Sequence, residues 1–243
     1  PTGTYYFARL ADDPRLFTVP SSTRSNLEKT PNDLRDKRLV PLEAAKVASV
    51  TLNTGRQTVQ FGKNDNKEWQ IVKPEPYRTD SFQVDEFVRR ALDARMEPNS
   101  FDQEARDREQ AFRSGSLVAK VTLTDEKGSH ELEVRKKGDD YYARSSLVEG
   151  YWKTSSYTAE GLNKALEDFR NRKLFDFGFS EPSRVSVKDG DRTVTVAKQD
   201  EKWMRDGKQM DGATVQGVID KLRDLSAAGF ASGTLPAPVI EAS

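Results

Sequence analysis

The sequence feature that most constrains the fold is an internal repeat at one fixed offset, at which Arg35 falls on Arg170. Residues 34–39, which read LRDKRL, recur as residues 169–174, which read FRNRKL. At the same offset and without a gap, Leu27 falls on Leu162. Further matches are Lys29 with Lys164, Asp33 with Asp168, Val50 with Val185, Gly55 with Gly190, Thr58 with Thr193, Val59 with Val194, Asp65 with Asp200 and Lys67 with Lys202. Self-similarity at a fixed period predicts that one structural unit is used twice.

Both copies contain the same predicted order of elements. A strand pair comes first, followed by a helix with a basic last turn, three strands and a closing helix. Asp189-Gly190-Asp191 predicts a hairpin between two strands of the second copy, because a type I′ turn needs positive φ at both central positions. The predicted strands cover residues 5–9, 16–19, 47–52, 58–61 and 69–72 in the first copy, and 141–144, 151–154, 184–187, 193–197 and 203–205 in the second.

The predicted helices rest on polar caps and apolar stripes. The first helix of each copy carries leucines and ends near Leu34 or Phe169. The serines expected to cap it are Ser21 or Ser22 in the first copy and Ser155 or Ser156 in the second. The closing helices are predicted over residues 81–95 and 213–227.

These elements predict an α+β protein of two tandem repeats, each an antiparallel or mixed β-sheet with helices packed on one face. The first repeat covers residues 1–101, and a charged linker or helix follows over residues 102–116. The second repeat covers residues 117–233 and opens with a hairpin for which the first has no equivalent. Residues 234–243 form a tail that is similar to the start of a strand and predicts a further, truncated unit.

Composition narrows the classes of function. Lys plus Arg number 39 and Asp plus Glu number 39, so no net field attracts nucleic acid, and nucleic acid is not an expected partner. The chain has no cysteine, which excludes disulfides, thiolate zinc sites and cysteine nucleophiles. No run of residues is long and apolar enough to cross a bilayer.

Residues that could carry catalysis or bind a metal are few. His130 is the only histidine, so a histidine-based site would have to be built around one residue, and a structural role is favoured. Acidic residues cluster at positions 12–13, 139–140 and 189–191, where turns are predicted and where aspartate bonds nearby amides. The glycines form no phosphate loop and no dinucleotide fingerprint. We therefore expect no catalytic residue, no metal and no cofactor.

Two further groups of residues could bind a ligand. Trp69, Trp152 and Trp203 could line a carbohydrate platform, but two of them occupy the same strand of each repeat, which favours core packing. The basic clusters at residues 35–38 and 170–173 recur at equivalent positions and could contact an anionic polymer or an acidic partner. The favoured interpretation is that these cations offset the partial negative charge at a helix carboxyl end. The candidate interaction residues are Arg35, Arg38, Arg170 and Lys173.

The sequence resembles the family called domain of unknown function 4340. The similarity lies in residues 5–9 (YYFAR), 33–39 (DLRDKRL), 141–144 (YYAR) and 222–230 (LRDLSAAGF), and it extends over nearly the whole chain. The resemblance implies a bacterial envelope protein with its repeated domains outside the cytoplasm, often encoded beside gliding-motility-type ABC transporter components. It also implies an amino-terminal membrane anchor, which we expect to lie outside the residues of this sequence. It identifies no catalytic or binding residue.

We expect a non-enzymatic, extracytoplasmic interaction or scaffold module that is accessory to an ABC-type transporter or motility complex. Its expected partners are proteins, with ABC transporter subunits among them. The alternative is a binding module for envelope glycan or another anionic polymer. A hydrolase that uses the carboxylates of the turns is the third and least favoured class.

Overall fold

The computed structural model describes residues 5–178 and 180–230, and these form two compact units. The first unit contains the residues up to Pro76 together with Ser81–Ala165, and the second contains Tyr77–Asp80 and the residues from Leu166 onward. Over the described residues the chain has six α-helices and thirteen strands in three antiparallel sheets, so the α+β prediction is confirmed. The predicted tail at residues 234–243 lies outside the described residues.

The chain begins with a small hairpin and two short helices. These elements are β1 (Tyr5–Ala8), β2 (Phe17–Pro20), α1 (Ser21–Leu27) and α2 (Pro31–Leu34). Among the described strands, β1 and β2 pair only with each other. The predicted single helix is wrong, because residues before a proline are pushed out of the helical region and Pro31 divides the segment into α1 and α2. The expected serine cap is also wrong, since α1 follows Pro20 without a side-chain cap.

A seven-stranded sheet follows, with the strand order β5-β4-β3-β6-β7-β8-β9. Its strands are β3 (Ser49–Asn53), β4 (Thr58–Lys63), β5 (Trp69–Lys73), β6 (Ser116–Asp125), β7 (Gly128–Lys137), β8 (Asp140–Ser145) and β9 (Tyr151–Thr154). Its helices are α3 (Ser81–Leu92), α4 (Ala105–Ser114) and α5 (Ser156–Leu162). Short 3₁₀ turns cover Ala44–Lys46 and Pro98–Asp102.

Alternation along these strands builds the core of the first unit. Val50 and Leu52 of β3 are buried between Ser49, Thr51 and Asn53, as the two-residue period of a strand requires. Helices α3 and α5 pack against each other, and α5 also packs against β6 and β8. Ser155 caps α5, because its hydroxyl accepts the N–H of Thr158 at 3.2 Å; this predicted cap is confirmed. The charged segment before β6 contains α4, which packs against β7, β8 and β9.

The second unit has a four-stranded sheet with the order β10-β11-β12-β13. Its elements are β10 (Arg184–Asp189), β11 (Arg192–Gln199), β12 (Lys202–Arg205), β13 (Lys208–Gln209) and α6 (Gly212–Asp224), preceded by a 3₁₀ turn at Leu166–Asp168. Asp211 caps α6. The core of the sheet and helix consists of Val185, Trp203, Val215 and Ile219, with Phe177, Val196, Met210 and Leu222 packed around it.

Strand registers confirm the repeat. Val50 lies opposite Phe61 in the pair β3–β4, and at the offset of the repeat Val185 lies opposite Val196 in the pair β10–β11. The hairpins β1–β2 and β8–β9 also share one register at this offset. Helices α1 and α5 begin and end at equivalent positions of the two copies. Equivalent residues therefore have equivalent backbone partners.

The compact units do not coincide with the sequence copies. The seven-stranded sheet takes β3, β4 and β5 from the first copy and β6 to β9 from the second, because β3 pairs antiparallel with β6. Val50 of β3 lies opposite Leu123 of β6, and both side chains are buried. One complete sheet is thus assembled from two half-repeats, which places the boundary of the compact unit inside the second copy.

Candidate interaction site around Arg170

The two basic segments have the same backbone environment. Residues 35–39 follow α2. Here the N–H of Leu39 donates to the carbonyl of Ala94 at 2.8 Å, and the N–H of Met96 donates to that of Lys37 at 2.8 Å. In the second copy the N–H of Leu174 donates to Leu225 at 3.0 Å, and that of Ala227 to Arg172 at 2.7 Å. Each segment therefore forms a short antiparallel pair with the residues that follow the closing helix of its copy.

This geometry shows that the helix-dipole interpretation of the basic clusters is wrong. Helix α2 has only four residues, and Arg35 is already its extended C-cap. Arg170 follows the 3₁₀ turn Leu166–Asp168 and lies in an isolated bridge with Thr79. A single helical turn sums few peptide dipoles, so little charge is available at its end.

Each segment makes a turn that is held by a side-chain oxygen, and the two oxygens belong to equivalent residues. Asp36 accepts the N–H of Arg38 through Oδ1 at 3.0 Å, and Asn171 accepts the N–H of Lys173 at 2.9 Å. Asp36 also accepts the Arg38 guanidinium, with Nη2 at 2.7 Å from Oδ2, and this bond is the main cause that lowers the pKa of Asp36 to about 2. Arg38 is thereby engaged with a neighbour in its own segment.

The arginines at equivalent positions each lie near two aromatic rings. The guanidinium carbon of Arg170 is 4.2 Å from the ring centroid of Tyr77 and 3.4 Å from that of Phe230. Arg35 is 5.6 Å from the centroid of Phe101 and 5.9 Å from that of Trp152. Such contacts hold a guanidinium plane in place while leaving its edge able to bind an anion.

The structure brings Arg170 and Lys173 together in a cavity of about 280 Å³ in the second unit. It is lined by Arg78, Arg170, Asn171, Arg172, Lys173, Leu174, Ala227 and Phe230. Arg35 and Arg38 lie in the first unit and do not line this cavity. Four cationic side chains around one concave surface can bind a carboxylate or phosphate group.

Neighbouring carboxylates only partly balance these cations. Arg78 Nη2 lies 3.8 Å from Asp176 Oδ2, and Lys173 Nζ lies 3.8 Å from Asp224 Oδ1, which are long ion-pair distances. Lys173 Nζ also donates to the carbonyl of Arg223 at 2.9 Å. The cavity therefore retains a positive character.

Sequence reasoning missed Arg78 and Phe230 as members of this site. Residues Tyr77–Asp80 belong to the first copy in sequence but to the second unit in space. They are held there because Asn171 donates its N–H to the carbonyl of Arg78 at 2.8 Å, and Asp80 donates to Phe169 at 2.8 Å. No periodic signal marks such a segment, since its partners lie far along the chain.

The lone histidine has a structural environment. His130 Nε2 lies 3.1 Å from Asp125 Oδ1, and the same oxygen accepts the N–H of Lys127 at 2.8 Å in the turn between β6 and β7. Burial raises the pKa of Asp125, but the hydrogen bonds from Lys127 and His130 outweigh it, so the pKa lies below its usual value. The imidazole thus supports a hairpin turn.

One aspartate in each of two acidic clusters is paired with a nearby cation. Asp13 accepts the guanidinium of Arg15, and Asp140 lies 2.6 Å from Lys153 Nζ. The side chain of Asp189 lies outside the described residues. In the part of the chain that the structure describes, no group of three His, Cys, Asp or Glu side chains could hold a metal ion.

The tryptophans are packed in the cores. Trp69, Trp152 and Trp203 are all buried, which confirms the core-packing interpretation. Trp69 Nε1 donates to Asp85 of α3 at 2.8 Å, so its polar edge is satisfied within the fold. Trp152 packs under the guanidinium of Arg108, whose carbon is 4.6 Å from the ring centroid.

Comparison with known families gives one match. The model of a family described as Domain of unknown function (DUF4340) matches residues 1–109 and again residues 69–240. The chain belongs to the DUF4340 family. The two DUF4340 matches overlap at residues 69–109. Neither the curated proteins nor the solved structures give a match to the chain.

The helices of this DUF4340 protein are short. Helix α6, with 13 residues, is the longest that the structure describes. Among the residues described, no helix combines the length and the hydropathy that crossing a bilayer requires.

Proposed function

We propose that this DUF4340 protein is a non-enzymatic interaction or scaffold module that binds protein partners. The supporting observation is the surface of residues 5–34, called here the amino-terminal segment. It contains no buried residue, yet it carries large apolar side chains. The exposed ones are Tyr5, Tyr6, Phe7, Leu10, Leu16, Phe17, Leu27 and Leu34. A cluster of exposed apolar side chains is typical of a surface that contacts another protein.

The equivalent residues of the second copy support this proposal. Leu27 of α1 is 77% exposed, whereas Leu162 at the same position of α5 is 0% exposed. Leu34 is exposed and Phe169 is buried. The amino-terminal segment therefore has the composition of a segment that is covered in its other copy, which favours a partner that covers it.

The location and the class of partner are part of the proposal. The family resemblance seen in the sequence supports a bacterial, extracytoplasmic protein that is membrane-anchored and accessory to an ABC-type transporter or motility complex. An interaction module in that setting would bind a transporter subunit through the amino-terminal segment, while a separate subunit would handle ATP.

A second candidate function is the binding of an envelope glycan or another anionic polymer. It is supported by the cavity around Arg170, where four cations and two aromatic rings lie together. Stacked aromatic and guanidinium groups are typical of sites for anionic chains. This candidate predicts that Arg170→Glu abolishes polymer binding, whereas Arg35→Glu leaves it unchanged.

Photo-crosslinking in cells tests the protein-contact proposal. A photoreactive residue at Phe7 should crosslink ABC transporter subunits, identified by mass spectrometry. The same residue at Val72, an exposed apolar position of β5, serves as the matched control and should give no such product. Equal products at both positions, or products that contain only envelope polymer at Phe7, would contradict the proposal.

A further inference from the structure

Equivalent sheet edges differ between the two units. In the first unit β3 lies between β4 and β6, with hydrogen-bonded partners on both sides. Its equivalent β10 stands at the end of its sheet and pairs with β11 alone among the described strands. An unpaired edge presents a row of N–H and C=O groups that can template another strand.

The apolar face next to this edge is exposed as well. Val187 of β10 is 51% exposed, whereas Leu52, its equivalent in β3, is 0% exposed. Val194 of β11 is also exposed, and its equivalent Val59 is buried. The cross-strand registers of the two pairs are identical, so the difference lies in what covers them.

The closing helices show the same contrast. When α3 and α6 are aligned at their first residues, Val84 and Val88 of α3 fall on Val215 and Ile219 of α6, and all four are buried. Between them, Val218 of α6 is exposed. Its equivalent in α3, Phe87, is buried in the unit where α3 packs against α5.

The first unit itself shows which elements cover such a surface. There β6 extends the sheet next to β3, with Leu52 opposite Val121 and Val50 opposite Leu123. The hairpin continues through β7, and α5 covers the helix side by packing on α3, β6 and β8. Because this arrangement occurs in the same chain and covers an equivalent surface, it indicates which kind of hairpin and helix would fit against β10 and α6.

We propose that β10, together with the exposed Val187, Val194 and Val218, is an acceptor surface for a β6–β7-type hairpin and an α5-type helix of a further copy of this repeat. The hairpin adds antiparallel to β10, with its residue equivalent to Leu123 opposite Val185. Strand addition of this kind takes its affinity from main-chain hydrogen bonds and its specificity from alternate side chains. The acceptor surface would join DUF4340 repeats in series.

The register also predicts a preference of the acceptor surface. Asn53 lies opposite Lys120 in the pair β3–β6, and the equivalent of Asn53 in β10 is Lys188. A donor strand with lysine at the position of Lys120 would place two like charges opposite each other, which is destabilising. A donor with glutamate at that position should bind more tightly.

Hydrogen–deuterium exchange of the full chain tests the proposal. The probe is a synthetic peptide of residues 116–137 that carries Lys120→Glu. We expect exchange over residues 184–189 to slow by about tenfold at saturating peptide, as for newly hydrogen-bonded amides. Residues 49–53, already paired with β6, are the internal control and should not change. The unmodified peptide should require a higher concentration.

Two variants make the test specific. A peptide that also carries Val121→Pro should have no effect, because proline removes a ladder hydrogen bond from a strand. In the chain, Val187→Asp should abolish the protection. Because the position is exposed, the variant should stay folded, which a thermal melt checks. The matched control is Val72→Asp, at a position that is 45% exposed on β5, and it should bind the peptide normally.

Four results would overturn the proposal. The first is unchanged exchange over residues 184–189 at saturating peptide, and the second is equal protection by the proline peptide. The third and fourth are protection of β10 in the chain without any peptide. In the third this protection grows with the protein concentration, and in the fourth it does not depend on the protein concentration. The third would assign the edge to a second molecule of this chain, whose own β6–β7 hairpin is already paired with β3 and β8, and the fourth to a segment of the same chain. The experiment measures amide exchange in β10 and not in the amino-terminal segment, so its outcome is independent of the photo-crosslinking result.

Discussion

The hairpins β1–β2 and β8–β9 occupy the same position in the repeat and pair in the same register, but their surroundings differ. Ala8 and Ala143 are equivalent, as are α1 and α5 in their bounds. In the second copy the hairpin is the edge of a seven-stranded sheet and Leu162 of α5 is buried. In the first copy the hairpin forms a separate two-stranded sheet.

This difference shows that local structure and burial of side chains have separate causes. Register and helix position follow from alternation and from the turn, both of which are contained in about 30 residues. Burial depends on the strands that extend the sheet beyond the hairpin, here β7 beside β8 and the strands beyond it. Equivalent leucines can therefore contribute very different amounts to the free energy of unfolding.

The largest expected effect is that of Leu162→Ala. The side chain is fully buried, so its truncation leaves a cavity and should lower the free energy of unfolding by about 2–5 kcal/mol. The equivalent change, Leu27→Ala, removes an exposed side chain and should alter it by less than about 0.5 kcal/mol. Urea denaturation of both variants gives the comparison. Similar losses would show that α1 is packed as α5 is.

Arg108→Ala should have the next largest effect. Its buried guanidinium donates to the carbonyls of Tyr151 and Ser100, both at 2.7 Å, and also to that of Gln103. Removing it leaves these carbonyls without their donor and loosens β9, with an expected loss of about 2–3 kcal/mol in urea denaturation. Arg106→Ala, on the exposed side of α4, is the control and should be neutral. A neutral Arg108→Ala would contradict the view that neighbours hold β9 in place.

A smaller effect is expected for Asp85→Ala. Asp85 accepts Trp69 Nε1 at 2.8 Å and joins α3 to β5, so its loss should lower the free energy of unfolding by about 1 kcal/mol. The equivalent residue of α6 is Gln216, which donates to Asp220 on its own helix at 3.0 Å. Gln216→Ala should therefore cause a smaller loss in thermal melts. A larger loss for Gln216→Ala would contradict the prediction that the bond between Asp85 and Trp69 stabilises the fold more than the bond between Gln216 and Asp220.

The smallest effect concerns pH and the residues Asp36 and Asn171. The Arg38 side chain and backbone hold the pKa of Asp36 at about 2, below its ordinary 3.8. A carboxyl whose pKa is lowered by folding stabilises the protein above about pH 4, and this contribution is lost as the pH falls towards about 2. Asp36→Asn should lower the melting temperature at pH 7 by about 1 °C, a difference that should be mostly lost at pH 2.

The reciprocal variant, Asn171→Asp, is the control for this titration. It places a carboxyl at the equivalent turn, where Lys173 is the cation, and should introduce a pH dependence of the same sign. A melting difference for Asp36→Asn that persists at pH 2 would show that the turn, and not the ion pair, carries the effect.

The sequence predicted a large part of the fold and little of the candidate site. The fixed offset of the repeat predicted β10 and β11 at the positions equivalent to β3 and β4, and the structure has the two strand pairs in one register. The helical pattern of residues 81–95 predicts that Phe82 lies on the apolar stripe, and this prediction is wrong because Phe82 is exposed. Tyr77 and Arg78 carried no local signal, because their roles come from contacts with residues that are distant in the chain, among them Arg170 and Asn171.

By itself the sequence determined the α+β class, the two copies, the cross-strand registers and the capping of α5, because each depends on side chains within one element or one turn. Only the tertiary structure decided that β3 pairs with β6, that Leu27 and Val187 stay exposed while Leu162 and Leu52 are buried, and that Arg78 lies beside Arg170. The physical reason is that hydrophobic burial and strand pairing require a second surface. A repeated sequence encodes both surfaces twice but does not specify which two will meet.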